Sequence, residues 1–223
     1  MDFSQQLPIV IHSLNIGFLQ TLRLFVITLI GACPLGLAIC FGSMSRIKPV
    51  SAFFKLLIWV VRGTPLMIQL LIIYFFPGLV LHNPIWGGGE TGRFLAASVS
   101  FILNYACYFS EIYRGGIQSV PVGQEEAGLV LGMTKSQIFF RVKLLQMVKR
   151  IIPPMSNEIL TLVKDTSLVY SVSYVEMFAL AKQIAAANTT VMPFFIAGVF
   201  YYIFNFVVAW VMEWLERKLD YYH

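Results

Sequence analysis

The chain has 223 residues, of which 58% are hydrophobic and 12% charged, about half the ~25% charged fraction of a soluble domain. That balance excludes a soluble globular domain and a disordered chain, and 16 glycines, 10 prolines and 3 cysteines are too few for a collagen-like or disulfide-stapled one. The net charge of +5 is spread over loops with no nucleic-acid-reading motif beside it, so nucleic acid is not an expected partner and the bilayer is the expected solvent.

The first fifteen residues hold Asp2, Gln5, Gln6, Pro8, His12 and Asn15 and no basic cluster, so a cleavable signal is not expected and the first apolar run serves as an anchor. A helix needs roughly 20 apolar residues to cross ~30 Å of hydrocarbon. Runs of that length lie at about 16–42, 53–81, 94–113 and 191–214. A fifth, at about 155–177, carries Glu158, Lys164, Asp165 and Glu176 among its aliphatic residues. The expectation is an all-α integral membrane protein, a single transmembrane domain over 1–223 with about five spans.

Basic residues set the direction, because cytoplasmic loops near span ends hold the excess of Lys and Arg. Arg46, Lys48, Lys55 and Arg62 lie between spans one and two or at the start of the second. Arg114, Lys135, Arg141, Lys143, Lys149 and Arg150 lie between spans three and four, and Arg217 and Lys218 follow span five. The opposite side has only Arg93 and Lys182, with Arg23 expected to snorkel from span one to that surface. The amino terminus is therefore expected outside and the carboxyl terminus inside.

Between spans two and three, Gly87-Gly88-Gly89-Glu90-Thr91-Gly92-Arg93-Phe94 has two glycines at phosphate-loop spacing. It lacks the Lys-Ser/Thr that a phosphate loop needs, and no buried strand precedes it, so it reads as an outer loop. Cys33, Cys40 and Cys107 sit in apolar runs as small hydrophobes. His12, His82 and His223 are too scattered to hold a metal, and no nucleophile and base share a triad-like pattern. No cofactor, metal site or catalytic residue is expected.

Residues 114–150 are far longer than the usual helix-to-helix connection and predict two short helices. Pro121 opens the first, Glu125 and Glu126 suit its dipole, and Gly132 suits a left-handed closing position. Thr134 with Gln137 reads as a capping box for a second helix over about 135–150. Ala127, Val130 and Leu131 form an apolar strip that either meets a protein partner or lies on the membrane or the chain's own bundle.

Within span four, Asn157, Thr161 and Lys164 fall on one stripe and Glu158, Thr161, Leu162 and Asp165 on the next, making one polar face. A helix starting near residue 155 at the inner surface places Lys164 and Asp165 about 15 Å deep, near the midplane. Ionisable groups there cost on the order of 2.5–3.5 kcal/mol each and need either a cavity or one another. Thr64, Gln69, Asn104 and Tyr105 in spans two and three would face the same cavity, and Pro65 should kink or open span two near its inner end. Glu111 and Arg114 are spaced to pair on one helix face, and Arg62 likewise reads as structural.

Gly123-Gln124-Glu125-Glu126-Ala127-Gly128-Leu129-Val130-Leu131-Gly132-Met133 resembles the EAA motif of ABC importer permeases, in which a coupling helix inserts into a cleft of the ATPase subunit. Gly128 stands where a second Ala is usual, Val142 where Ile is usual and Leu145 where Pro is usual, while Leu144 and Gln146 keep their places. Three further segments are similar to the permeases of polar amino-acid uptake systems. They are Arg62-Gly63-Thr64-Pro65-Leu66 with Gln69, Glu111 to Ile117, and Lys164-Asp165-Thr166-Ser167-Leu168.

The resemblance implies a type I ABC importer permease in a bacterial inner membrane, driven by two copies of a separate ATP-binding subunit. It further implies a second permease, identical or homologous, an extracytoplasmic substrate-binding protein, surrounding lipid and an amino-acid substrate. Glu125, Glu126, Ala127, Gly128, Leu131 and Gly132 would couple to the ATPase. Thr64, Gln69, Asn104, Tyr105, Glu158, Thr161, Lys164 and Asp165 would line the path, with Glu158 a selector for a cationic side chain. Two other classes stay open: a membrane anchor or membrane enzyme with a docking loop, which lacks any catalytic cluster, and an ATP-independent transporter, which would carry an internal repeat not found here.

Overall fold

The computed structural model describes residues 3–219, with side chains from Leu7 onward, so Asp2, His223 and the side chains of Gln5 and Gln6 lie outside it. The described residues form nine α-helices and no strand. Helix α1 spans Phe3–Ser43, α2 Lys48–Arg62, α3 Leu66–Leu79 and α4 Gly89–Gln118. Helices α5 (Gly123–Val130) and α6 (Lys135–Ile138) follow. A π-helical stretch, Phe139–Lys143, leads into α7 (Leu144–Asp165), which tightens into a 3₁₀ stretch over Thr166–Val172. Helices α8 (Met177–Asn188) and α9 (Met192–Leu219) complete the bundle.

The most extensive packing is between α1 and α4. Their close approach depends on small residues at the seam. A Cβ on Gly36 would stand 3.0 Å from the Cβ of Phe109 and 3.1 Å from the carbonyl of Ala106. Ala96, Ala97, Ala106 and Cys107 of α4 are likewise buried. The main core joins this seam to Ile58, Leu70, Leu162, Val169 and Phe204, so every long element contributes. Outside it, Ile30, Leu79, Phe195 and Tyr202 are each about 70% exposed (69, 71, 75 and 72%), an apolar exterior that suits lipid and not water.

Contacts fix which element ends lie together. At one end the Arg23 guanidinium stands 4.1 Å from the centre of the Phe94 ring. There too Arg93 donates to the Ser173 carbonyl at 3.2 Å and the Tyr174 hydroxyl to Gln20 Oε1 at 2.8 Å. At the other end Gly116 packs on Ile151, and the Ser156 hydroxyl donates to Glu216 Oε1 at 2.8 Å. Arg46, Lys48 and Arg114 fall at this second end with the basic residues of 135–150 and with Arg217 and Lys218.

Helices α1, α4 and α9 are long and apolar enough to cross a membrane, and α2 with α3 makes a fourth if the pair is one broken span. The break is at Gly63-Thr64-Pro65, where the axis turns by 108°, at the position that Pro65 predicts. Three elements depart furthest from the expected bounds. The first helix extends thirteen residues ahead of 16, to Phe3. The helix expected over 135–150 does not stop there but continues into the 155–177 segment, since Pro153 and Pro154 lie inside α7 without ending it. That segment then changes to 3₁₀ at Thr166 and turns out of helix at Ser173, so it is not one regular span.

Candidate translocation and coupling sites

The break between α2 and α3 leaves the last carbonyls of α2 without helical partners, and side chains supply them. The Gln69 amide, one turn into α3, donates to the Val61 carbonyl at 2.7 Å, the Thr64 carbonyl at 3.0 Å and Thr64 Oγ1 at 2.8 Å. The Thr64 hydroxyl donates on to the Val60 carbonyl at 2.9 Å. Gln69 Oε1 accepts from the Asn104 amide at 3.0 Å, which ties the broken segment to the buried face of α4. Thr64, Gln69 and Asn104 thus come together, but their hydrogen bonds are spent on one another and on the backbone.

Tyr105, the next residue of α4, is buried, and its hydroxyl donates to Asp165 Oδ2 at 2.8 Å across to the end of α7. Asp165 is half-buried and sits where α7 gives way to the 3₁₀ stretch, a change of helical pitch that often marks a hinge. Glu158, two turns earlier, is also half-buried, within the electrostatic reach of Arg62 and Asp165. Lys164 is exposed. Among the described residues neither Glu158 nor Lys164 holds a salt bridge, so the internal Lys–carboxylate pair is not formed within this chain. Thr161 turns its hydroxyl onto its own helix, donating to the Asn157 carbonyl at 2.9 Å.

Below this face, Glu111 accepts from Arg114 Nε at 3.0 Å and Nη2 at 2.6 Å, the i,i+3 pair expected from their spacing. Arg62 joins them at 3.9 Å, with its guanidinium 5.0 Å from the centre of the Tyr108 ring. No group of three His, Cys, Asp or Glu among the described residues is close enough to hold a metal.

Helix α5 stands on a braced corner. The Lys143 ammonium hydrogen-bonds Glu125, and that nearby positive charge holds the Glu125 carboxyl below its ordinary pKa. The Arg150 guanidinium donates to the Ser119 carbonyl. Gly128 is buried against Ile138, and Gly132 closes the helix at φ +73°, the left-handed position expected of it. The capping box of Thr134 and Gln137 is present in both directions, at 2.8 and 3.3 Å. Glu126 and Ala127 face outward with Val130 and Leu131, which are 86 and 78% exposed. The apolar strip therefore has no cover from the chain's own bundle.

Residues 32–221 match the family described as binding-protein-dependent transport system inner membrane component. The chain belongs to this family. It is 38% identical over 210 residues to the L-cystine transport system permease protein TcyB of Bacillus subtilis (strain 168), covering 92% of this chain and 86% of that protein. It is 33% identical over 221 residues to the arginine transport system permease protein ArtQ of the same organism, covering 98% and 97%. Among solved structures, an amino acid ABC transporter crystallised with histidines superposes with a TM-score of 0.85 at 28% identity, over 98% of this chain and 99% of that one. The inward-facing MetNI methionine ABC transporter shares the fold, with a TM-score of 0.70 at 15% identity over 99% and 100%. The chain is accordingly a membrane-embedded permease subunit with the all-helical fold of type I ABC importer permeases.

One buried group escapes sequence reasoning. Glu176, counted there only as a charge within a span, is fully buried and caps α8, accepting from the backbone of Phe178 at 2.7 Å and Ala179 at 2.8 Å. It also accepts from the hydroxyls of Tyr201 at 3.1 Å and Thr21 at 3.3 Å, joining α1, α8 and α9. Glu is not a preferred N-cap residue, and Thr21 and Tyr201 are distant in sequence, so only its position ahead of an apolar run could have pointed to it.

Proposed function

We propose that this chain, as a single transmembrane domain, is one half of the pathway of an ATP-driven importer for polar amino acids. In this reading it crosses a bacterial inner membrane five times, amino terminus outside, with residues 155–177 as the fourth crossing. An irregular crossing is tolerable where protein and not lipid surrounds it. Two such bundles, identical or homologous, enclose the path, and an extracytoplasmic binding protein delivers the cargo. ATP hydrolysis belongs to two copies of a partner chain, each receiving one α5. The names of TcyB and ArtQ, which specify cystine and arginine, support the amino-acid class.

The observation that carries the coupling role is the bare apolar strip of Val130 and Leu131 on a helix braced from behind by Lys143 and Ile138. A docking element needs an unpartnered face and a rigid back, and α5 has both. Glu125, Glu126, Ala127, Gly128, Leu131 and Gly132 are its coupling residues. In the path, Asp165 held by Tyr105, with Glu158 and the free Lys164, offers anionic partners for a substrate ammonium and a cation for its carboxylate. Thr161 adds a hydroxyl to the same face, and Thr64, Gln69 and Asn104 shape the adjoining wall.

The test is co-purification of the permease with its ATPase. Glu126→Lys and Gly132→Arg, the latter forcing a side chain into a left-handed turn, should abolish association while membrane insertion stays normal. Normal co-purification of both variants would remove the coupling role.

A further inference from the structure

We infer that α2 and the neighbouring end of α4 form a headgroup site for an anionic phospholipid of the cytoplasmic leaflet. The inference rests on the proposed orientation. Lys48, Lys55 and Arg62 of α2 are spaced by seven residues, so they form one stripe along the helix. Phe53, Leu56 and Val60 form the opposite stripe and are 62, 59 and 46% exposed. The axis of α2 is turned 108° from that of α3. A helix with basic residues on one face and large apolar residues on the other suits the interfacial layer, here at the inner end of the broken span that α3 completes.

Between α2, the end of α1 and the end of α4 is a cavity of about 730 Å³, lined in part by Lys55, Trp59, Arg62, Glu111 and Arg114. That volume suits a headgroup. Three cations face one carboxylate there, leaving two positive charges. Lys55 has no salt bridge among the described residues, and Trp59, at 75% exposure, adds an interfacial aromatic on the same rim. Two of the nearby hydroxyls are committed to the backbone, Ser51 donating to the Ser43 carbonyl at 2.7 Å and Ser43 to the Cys40 carbonyl at 2.8 Å, while Ser45, which accepts from the Ile47 amide at 3.2 Å, can still donate to a phosphate. Recognition falls mainly to the surplus positive charge, which selects a phosphate over a neutral ligand. Basic pockets between helices at the cytoplasmic surface hold acidic headgroups in this way.

The experiment is native mass spectrometry of the detergent-solubilised permease with its ATPase, given equal amounts of phosphatidylglycerol and phosphatidylcholine of identical acyl chains. The intact protein should retain phosphatidylglycerol preferentially. Lys48→Gln and Lys55→Gln, both at exposed positions, should each weaken that retention roughly fivefold, the effect of one lysine near a charged surface. Lys182→Gln, at the other end of the bundle, should leave it unchanged. Equal retention of the two lipids would overturn the inference. Displacement of phosphatidylglycerol by millimolar inorganic phosphate, which would mark a free-anion site, would overturn it too, as would a Trp59→Cys disulfide between two permease copies.

An Arg46→Cys reporter, in a chain whose Cys33, Cys40 and Cys107 are alanine, separates the two readings. Labelling by an impermeant maleimide from outside the cell would sink the orientation. Labelling from inside only, with no lipid preference, would sink the lipid site alone.

Discussion

Glu176→Ala should strongly destabilise the end of the bundle where α1, α8 and α9 meet. The carboxylate accepts from two backbone amides and two hydroxyls while wholly buried. Losing an N-cap acceptor costs about 1 kcal/mol, and a buried hydroxyl left without a partner about 1–3 kcal/mol more. The Tyr201 hydroxyl loses the acceptor of its proton, while the Thr21 hydroxyl also reaches the Gly17 carbonyl at 3.2 Å. The sum is about 2–4 kcal/mol. At roughly 2–4 °C per kcal/mol for a chain of this size, the thermal midpoint should fall by about 5–15 °C. Glu176→Gln keeps one acceptor oxygen and should lose less than half as much. The assay is thermal unfolding of the reconstituted permease followed by static light scattering or tryptophan fluorescence. A Glu176→Ala midpoint within a degree of the intact chain, or Gln falling as far as Ala, would refute the claim that this carboxylate joins the three helices.

Three further outcomes are expected. Tyr105→Phe removes the donor to Asp165, so it and Asp165→Asn should each lower uptake of the radiolabelled cargo at least tenfold without changing assembly with the ATPase; unchanged uptake kinetics would return both to a packing role. At Gly128 an added Cβ would lie 2.7 Å from Ile138 Cγ1, so Gly128→Ala should cost about 1–3 kcal/mol by overpacking, and Ile138→Ala, which removes that carbon, should relieve the clash where Ile138→Val, which keeps it, does not, read as ATPase co-purification at rising temperature. Because Lys143 lowers the Glu125 pKa, the pair stabilises the α5 corner above the ordinary carboxylate value of about 4.3 and is lost as pH falls through the lower folded value. A spin label on α5 should therefore become mobile only on acidification, and Lys143→Gln should make it mobile at neutral pH.

What the sequence disclosed was mostly local. Pro65 announced the break in the second span because proline removes a donor wherever it stands, and Thr134 with Gln137 announced a cap because both partners lie within one turn. Polar side chains at 64, 69 and 104 stood out in an apolar chain. Yet their meeting at the orphaned carbonyls of α2 depends on where α4 lies, and nothing within a window of residues encodes that. The same holds for Glu176, whose hydroxyl partners come from residues 25 and 155 positions away. The expected end of a helix near 150 failed for another reason. The helix runs on through Pro153 and Pro154, which the fold absorbs inside a longer element.

That longer helix has a mechanical consequence. From Lys135 to Asp165 the backbone stays helical, roughly 45 Å at 1.5 Å per residue, with no loop in which a displacement could dissipate. It is not uniformly stiff: the wide π turn at Phe139–Lys143 and the missing donors of Pro153 and Pro154 are two compliant joints along a single pushrod. If α5 receives the ATPase as proposed, motion entering at the elbow beside it would arrive at the Tyr105–Asp165 contact as a tilt or a twist and not as a simple thrust.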